Sequence, residues 1–383
     1  MRMLVLGAGL QGSACAFDLL QQPSVIEVRL ADRPGAPWPE FLAPYASDKR
    51  LVRVNLDAKD SAAVAAAMHG MTAAMCALPY YFNLEMTRAA IAEGVHFADL
   101  GGNTEIVNQQ KALAGEAAAK GVSVIPDCGL APGMVNILAQ LGISRCDSVS
   151  KVKIFVGGLP QAPEGPLKYQ IVYSLEGVLD YYTTLSWVVR DGKQMQVKAL
   201  SEIEPVKFDA PVGELEAFHT AGGLSTMAAR YEGKIPTMEY KTLRYPGHAH
   251  IMEAVRELGL LELEPINVKG QMVSPRDVAV ATMGPRLKKP RGKDLVALRV
   301  VVDGIKHGKA VSHEWELVDR FDESRSITAM ERTTGFSLAI TGLMQADKAA
   351  GPVGVHTPDE CMPGERYIAE LAKRGIMIRE RSA

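Results

Sequence analysis

Gly7, Gly9 and Gly12 follow a short apolar run, residues 1–6, in the spacing Gly-x-Gly-x-x-Gly, and Asp32 closes a second apolar run twenty residues after Gly12. A strand, a glycine turn, a helix over 13–20, a strand and an acid, in that order, form the fingerprint of a dinucleotide site. Gly7 permits the tight turn off the strand. Gly9 lets the backbone approach a pyrophosphate, and Gly12 lets the helix pack closely on the sheet. The helix start, Leu10 and Gln11 included, offers unpaired N–H groups and a partial positive charge to phosphate oxygens. Asp32 can accept hydrogen bonds from both ribose hydroxyls and would repel a 2′-phosphate, so the expected cofactor is NAD. Arg33 beside it could serve a 2′-phosphate, which keeps NADP open.

Around these residues the first third of the chain alternates strand and helix. Strands are expected at 51–56, 71–77, 95–99 and 122–126, with helices at 62–68, 83–93 and 106–120. Such alternation predicts an α/β fold of the Rossmann type, a doubly wound parallel sheet. From about residue 150 the pattern changes to adjacent strands at 151–156, 169–174, 187–190, 194–200, 295–303 and 310–319. Asp191-Gly192 reads as a hairpin turn, 304–308 as a connecting loop and 250–258 as a helix. This predicts a second, α+β domain with a mainly antiparallel sheet. An apolar helix at 333–345 and an amphipathic one at 363–374 are expected to return to the first domain. The expected division is 1–129 with 331–383 as a discontinuous NAD-binding domain, and 130–330 as a substrate-binding and oligomerisation domain.

The 383 residues suffice for two cores, and 47% hydrophobic with 22% charged residues is ordinary for a globular protein. A net charge of −2 gives no reason to expect nucleic acid or an anionic membrane as partner. No apolar run approaches bilayer length, and the chain enters a strand at once, leaving no room for a signal peptide. The cysteines at 15, 76, 128, 146 and 361 form no CxxC pair and no zinc spacing, so no metal is expected and reduced thiols in the cytoplasm are the simplest reading.

Ligands on such sheets lie beyond the carboxyl ends of the strands. Leu78, Pro79 and Tyr80 follow one strand, Asp99 ends the next, and Asp127-Cys128-Gly129 follows the one after. Leu78 and Pro79 are expected against the cofactor. Asp99 and Asp127 share one sheet edge, where a carboxylate could bind a cationic amine, accept a proton or cap a helix; Asp99 is the favoured functional one. Asp57 reads equally as an adenine-side contact and as a helix cap. His219 precedes Gly222-Gly223, a turn that could bring N–H groups to a ligand or simply close a loop.

The glycine-rich start, LPYYFN (78–83), DCGLAPGMVN (127–136), YKTLRYPGH (240–248) and TTGFSLAI (333–340) resemble the saccharopine dehydrogenase (reductase-type) superfamily, in order and over nearly the whole chain. Within it the chain is most similar to the L-lysine 6-dehydrogenases. The resemblance implies NAD(P)-linked oxidation of a carbon–nitrogen bond on a small amino-acid substrate. In a lysine 6-dehydrogenase, hydride leaves the ε-carbon of L-lysine, the imine is hydrolysed, ammonia departs, and the semialdehyde cyclises to a piperideine carboxylate. Relatives run this chemistry on saccharopine, carboxynorspermidine or homospermidine.

The same resemblance assigns roles. Arg244 matches a substrate-binding arginine and would clamp a carboxylate. Lys241 and His248 flank it, His248 being either a base or a satisfied polar group. Tyr80 and Cys128 match positions facing the nicotinamide, where Cys128 would shape the pocket rather than attack. Tyr169, Tyr173, Ser174 and Glu176 match pocket-lining positions, and Glu176 is a candidate for the α-ammonium or a solvated acid. A homodimer or higher homo-oligomer is expected. The same-class alternative is a larger secondary amine, which needs further cations such as Lys241, Arg230 or Arg286. The different-class alternative is an NAD-binding sensor without catalysis.

Overall fold

The computed structural model describes residues 1–35, 39–289 and 292–382. Its first sheet has seven parallel strands in the spatial order Gly354–Val355, Ser123–Ile125, His96–Asp99, Ala73–Cys76, Arg2–Leu6, Glu27–Asp32, Leu51–Asn55. Strand alternation assigns its two cores. Met3 and Val5 face the Leu10–Leu20 and Phe336–Ala346 helices, while Leu4 and Leu6 face the Ser61–Met68 and Asn83–Glu93 helices. Both faces are therefore covered, as a doubly wound sheet requires. The segment expected as one helix at 106–120 is two, Thr104–Lys111 and Ala114–Ala119.

The second sheet has nine strands. Its long central pair, Asp294–Lys306 and Lys309–Arg320, is antiparallel throughout. The expected loop at 304–308 is instead strand up to Lys306 and a turn at His307-Gly308, both at positive φ. Thr237–Arg244 runs parallel to Ser148–Pro160 and antiparallel to Glu214–His219, so the sheet is mixed but mainly antiparallel.

Residues 169–174 are not a strand. Ser174 Oγ accepts the Gly177 N–H at 3.2 Å and starts the Leu175–Thr183 helix, a local capping bond that outcompetes extension. That helix packs with His248–Glu257 and Pro275–Leu287 into a helical layer beside the sheet, of which only one member was expected.

The tail returns to both sheets. Gln345 Nε2 donates to the Phe97 and Ser123 carbonyls at 2.9 and 3.0 Å, seating the Phe336–Ala346 helix on the parallel sheet. Arg374 pairs with buried Asp18 at 2.8 Å. Arg379–Ser382 then pairs with Lys309–Arg320 of the second sheet. Among the described residues, no helix is long and apolar enough to cross a membrane.

Candidate active site

The glycine turn is built as its spacing predicts. A Cβ on Gly12 would lie 1.8 Å from the Gly7 carbonyl oxygen, and one on Gly7, at φ +96°, would crowd the Ala77 carbonyl at 3.0 Å. A Cβ on Gly9 would meet nothing within 4 Å, so the loop is packed on the protein side and open on the ligand side. Asp32 Oδ2 accepts the Ala8 N–H and Oδ1 the Arg33 N–H, both at 2.6 Å. The carboxylate thus holds the turn's shape. Ala8, Gly9, Asp32, Arg33 and Asp57 line one open recess there, and Asp57 also accepts the Lys59 N–H at 3.0 Å. Leu10 is half exposed at the helix start. Both amide atoms of Gln11 are buried without a partner in the protein, as groups awaiting a ligand would be. These residues fit a dinucleotide.

A cleft of about 550 Å³ continues from this turn between the two sheets. One wall is the carboxyl edge of the parallel sheet: Gln11, Leu78, Pro79, Tyr80, Gly101 and Gly102, with Gly129 and Leu130. The other wall comes from the second unit: Tyr173, Ser174, Glu176, Asp180 and Tyr181 on or before one helix, and Tyr240, Thr242 and Arg244 on one strand. Strand periodicity explains this last trio. Alternate residues of Thr237–Arg244 face the cleft, and Lys241 between them faces away.

Arg244 is 4% exposed and stacks on the Tyr169 ring, 4.9 Å from its centre. Its Nη1 donates to the Leu243 carbonyl at 2.8 Å, and its Nε has no partner. No carboxylate pairs with it among the described residues. A buried guanidinium without a counter-ion is costly unless a ligand supplies one. Arg244 is also the one cation among the described residues lining the cleft. Of the two acids there, Asp180 is bound to Arg276 Nη1, which leaves Glu176 as the acid whose carboxylate no cation of the described residues holds in a salt bridge.

Five expected site residues lie elsewhere. Asp99 is fully buried beneath the cleft floor, accepting from the Gly101 N–H at 2.7 Å and Gln110 Nε2 at 2.6 Å. Burial lifts its carboxyl to about 6 against those bonds. It braces the sheet edge and does not reach the cleft. Cys128 points inward, its thiol donating to the Ile125 carbonyl at 3.0 Å, and burial pushes the thiol well up.

Lys241 donates to Glu204 Oε1 and to the Glu202 carbonyl, both at 2.7 Å. His219 is fully buried against Glu202 on that same outer face. Arg190 Nη2 fills the Glu202–His219–Glu239 grouping at 2.8 and 2.5 Å from its carboxylates, so that grouping is an ion-pair cluster.

His248 also leaves the cleft. Its Nδ1 faces the Leu167 carbonyl at 2.9 Å and its Nε2 the Tyr182 hydroxyl at 3.0 Å. Burial, then the nearby Arg244 charge, lowers its pKa to about 3. It is a satisfied core group, neutral at physiological pH.

Asp127, the less favoured of the two aspartates, has the more unusual environment. It sits at φ +64°, Ser225 Oγ donates to its Oδ2 across the two units, and its Oδ1 has no partner. Burial raises its carboxyl to about 7, opposed by the Ser225 bond and assisted by the Asp99 charge. Tyr181, Tyr240, Thr242 and Thr334 were not singled out in the sequence. Thr242 and Tyr240 were findable, lying two and four residues before Arg244 on one strand. Tyr181 was hidden because its helix was not expected.

Two family models match the chain. Residues 3–125 match the saccharopine dehydrogenase NADP binding domain, and residues 129–376 match the saccharopine dehydrogenase C-terminal domain. A saccharopine dehydrogenase [NADP(+), L-glutamate-forming] of Schizosaccharomyces pombe is 28% identical over 220 residues, 55% of this chain and 48% of that protein. The mitochondrial alpha-aminoadipic semialdehyde synthase of Rattus norvegicus is 25% identical over 276 residues, 69% of this chain and 29% of that one. The chain thus spans about half the length, or less, of these curated relatives.

Apo saccharopine dehydrogenase (L-Glu forming) of Saccharomyces cerevisiae shares the fold with a TM-score of 0.80 at 20% identity, covering 100% of this chain and 99% of that one. A homospermidine synthase of Legionella pneumophila in complex with NAD gives 0.68 at 10% identity, covering 100% and 91%. The glycine turn, the acid at Asp32 and the open recess fit an NAD(P) cofactor, and with both matched domains the chain belongs to the saccharopine dehydrogenase family.

Proposed function

We propose that the chain oxidises a carbon–nitrogen bond of a small amine bearing one carboxylate, with the ε-carbon of L-lysine as the leading site and NAD as the preferred acceptor. The observation that carries this reading is Arg244, buried, without a carboxylate partner and the one cation among the described residues lining the cleft. A fork of N–H donors suits one carboxylate. Saccharopine carries three, and two would enter without a cationic partner.

The bound dinucleotide supplies a hydride acceptor. The chain's own residues do the rest. Arg244 anchors the carboxylate, and Glu176 accepts from the α-ammonium. Tyr80 and Tyr181 close the walls around the reacting carbon and reduce water near it. The balance is L-lysine, NAD⁺ and water to the 6-semialdehyde, ammonium and NADH.

The second reading is a longer secondary amine such as saccharopine. The family's name favours it, and 550 Å³ has room for it. A panel of L-lysine, D-lysine, L-ornithine, saccharopine and carboxynorspermidine, with NAD and with NADP, separates the readings. NADH and trapped piperideine from L-lysine alone support the first. Turnover confined to saccharopine or a polyamine replaces it, and NAD binding with silence across the panel moves the weight to a sensor.

A further inference from the structure

Among the described residues lining the cleft there is no histidine, lysine or cysteine. Two acids, one guanidinium and a set of hydroxyls are the polar side chains that face the reacting carbon's wall. Ser174 Oγ is spent on the Gly177 N–H. Three other hydroxyls are joined in a row. Thr220 Oγ1 and Thr242 Oγ1 lie 2.6 Å apart, and Thr242 Oγ1 donates to the Tyr240 hydroxyl at 3.5 Å. Tyr240 and Thr242 are the cleft-facing neighbours of Arg244 on their strand, and Thr220 follows the adjacent strand Glu214–His219. All three are at most 7% exposed, yet they line the cleft.

The protons of this row can be counted. With Thr242 donating to Tyr240, Thr220 donates to Thr242, and the Tyr240 proton is left over. Burial pushes the Tyr240 phenol up, against the Thr242 bond and the Arg244 charge, so it stays a donor. The row can therefore donate to one small molecule and also accept from it.

Its place along the strand matters. A strand rises about 3.3 Å per residue, so Thr242 lies about 7 Å along the wall from Arg244. An extended lysine runs about 6 Å from its carboxylate carbon to its ε-carbon, five zigzag bonds of about 1.5 Å each. A carboxylate held at Arg244, with the chain laid along this strand, brings the ε-carbon level with Thr242.

One water is needed at that carbon. Loss of hydride leaves a protonated imine. A water oxygen bonds to the carbon while the C=N pair moves to nitrogen, and one water proton passes to that nitrogen. The C–N bond then breaks, and nitrogen leaves as ammonium with the hydroxyl proton. Tyr80 and Tyr181 reduce water around the carbon, so the reacting water has to be held in place.

We propose that Thr242, with Thr220 and Tyr240, positions the water that hydrolyses the substrate's imine, an inference that rests on the amine-oxidising reading of the cleft. A Thr242 lone pair takes one water O–H, the Tyr240 O–H holds one oxygen pair, and the other pair is left for the carbon. Stopped-flow detection of NADH tests this, with the panel amine that wild type turns over and the variants Thr242→Val, Thr242→Ser and Tyr240→Phe. Valine keeps the shape of threonine and removes its hydroxyl. Thr242→Val is expected to form the first NADH per site within about twofold of the wild-type rate and to lower steady turnover at least about 30-fold. Quenching with borodeuteride should return the amine with deuterium at the oxidised carbon, because imine accumulates. Thr242→Ser should recover most of the steady rate, and Tyr240→Phe, which deletes one oxygen, should show the same split independently. A merely structural role would slow both phases together. Equal loss in both phases, loss in neither, or a serine variant as slow as valine overturns the proposal and leaves the amine reading standing. A wild type silent across the whole panel overturns that reading and this proposal with it.

Discussion

The guanidinium carbon of Arg244 sits over the Tyr169 ring, 4.9 Å from its centre, and no carboxylate of the described residues neutralises the charge. The ring fixes the fork without consuming its charge, so the charge stays available to a substrate. Arg244→Leu should raise KM for the carboxylated substrate at least about 100-fold, the worth of a buried charge-assisted pair, and leave NAD affinity within about twofold. Arg244→Lys should recover little, because an ammonium cannot present two parallel donors. Initial rates and a fluorescence titration with NAD check both, and equal loss of NAD binding would show that the residue holds the fold instead.

Gly9 and Gly12 are three residues apart and should fail differently. Gly12→Ala forces a methyl to within 1.8 Å of the Gly7 carbonyl oxygen and should cost about 2–4 kcal/mol, read as a lower melting temperature. Gly9→Ala meets nothing in the protein, so its melting temperature should match wild type while NAD binding falls steeply. A thermal melt with and without NAD distinguishes the two.

Asp32 holds the Ala8 and Arg33 N–H groups and also lines the open recess beside the glycine turn. Asp32→Asn keeps one acceptor oxygen and removes the charge. It should weaken NAD about tenfold or more and NADP clearly less, as calorimetry with each cofactor would show. Parallel losses would confine the carboxylate to shaping the turn.

The buried acid and imidazole should act on stability rather than on rate. His248 has a folded pKa of about 3 against an ordinary 6.5. Its contribution is complete above pH 6.5 and is lost as the pH falls towards 3, with a slope of at most about 1.4 kcal/mol per unit. Replacing it with Asn should flatten the acid side of the stability curve and leave the pH profile of kcat unchanged. Denaturant melts between pH 4 and 8 and rate profiles over the same range test this, and a shifted rate profile would return His248 to the site.

Asp99→Asn is the matching test on the sheet edge. The side chain keeps one acceptor for the Gly101 N–H but loses its charged bond from Gln110. A lower melting temperature with an unchanged rate profile is expected. A displaced rate profile would make Asp99 a proton acceptor after all.

The amino-acid sequence by itself determined what depends on neighbours in the chain. The glycine turn, its helix and the acid at Asp32 follow from backbone conformation and from alternation within about 30 residues. The parallel sheet followed from the regular exchange of strand and helix patterns. Tertiary structure alone decided which polar groups face the cleft. Arg244 and Lys241 lie three residues apart on one strand, yet one meets the cleft and the other an outer ion pair with Glu204, because the side that faces the neighbouring domain is set by packing. Asp99 ends one strand and Asp127 lies two residues past the end of its neighbour, and only the fold shows Asp99 enclosed by Gln110 while Asp127 reaches across to Ser225. The Leu175–Thr183 helix, with Glu176 and Tyr181, stayed hidden because Ser174 was read as the end of a strand at 169–174, whereas in the fold its side chain caps the helix. Burial and partnership are properties of the whole molecule, and no local pattern carries them.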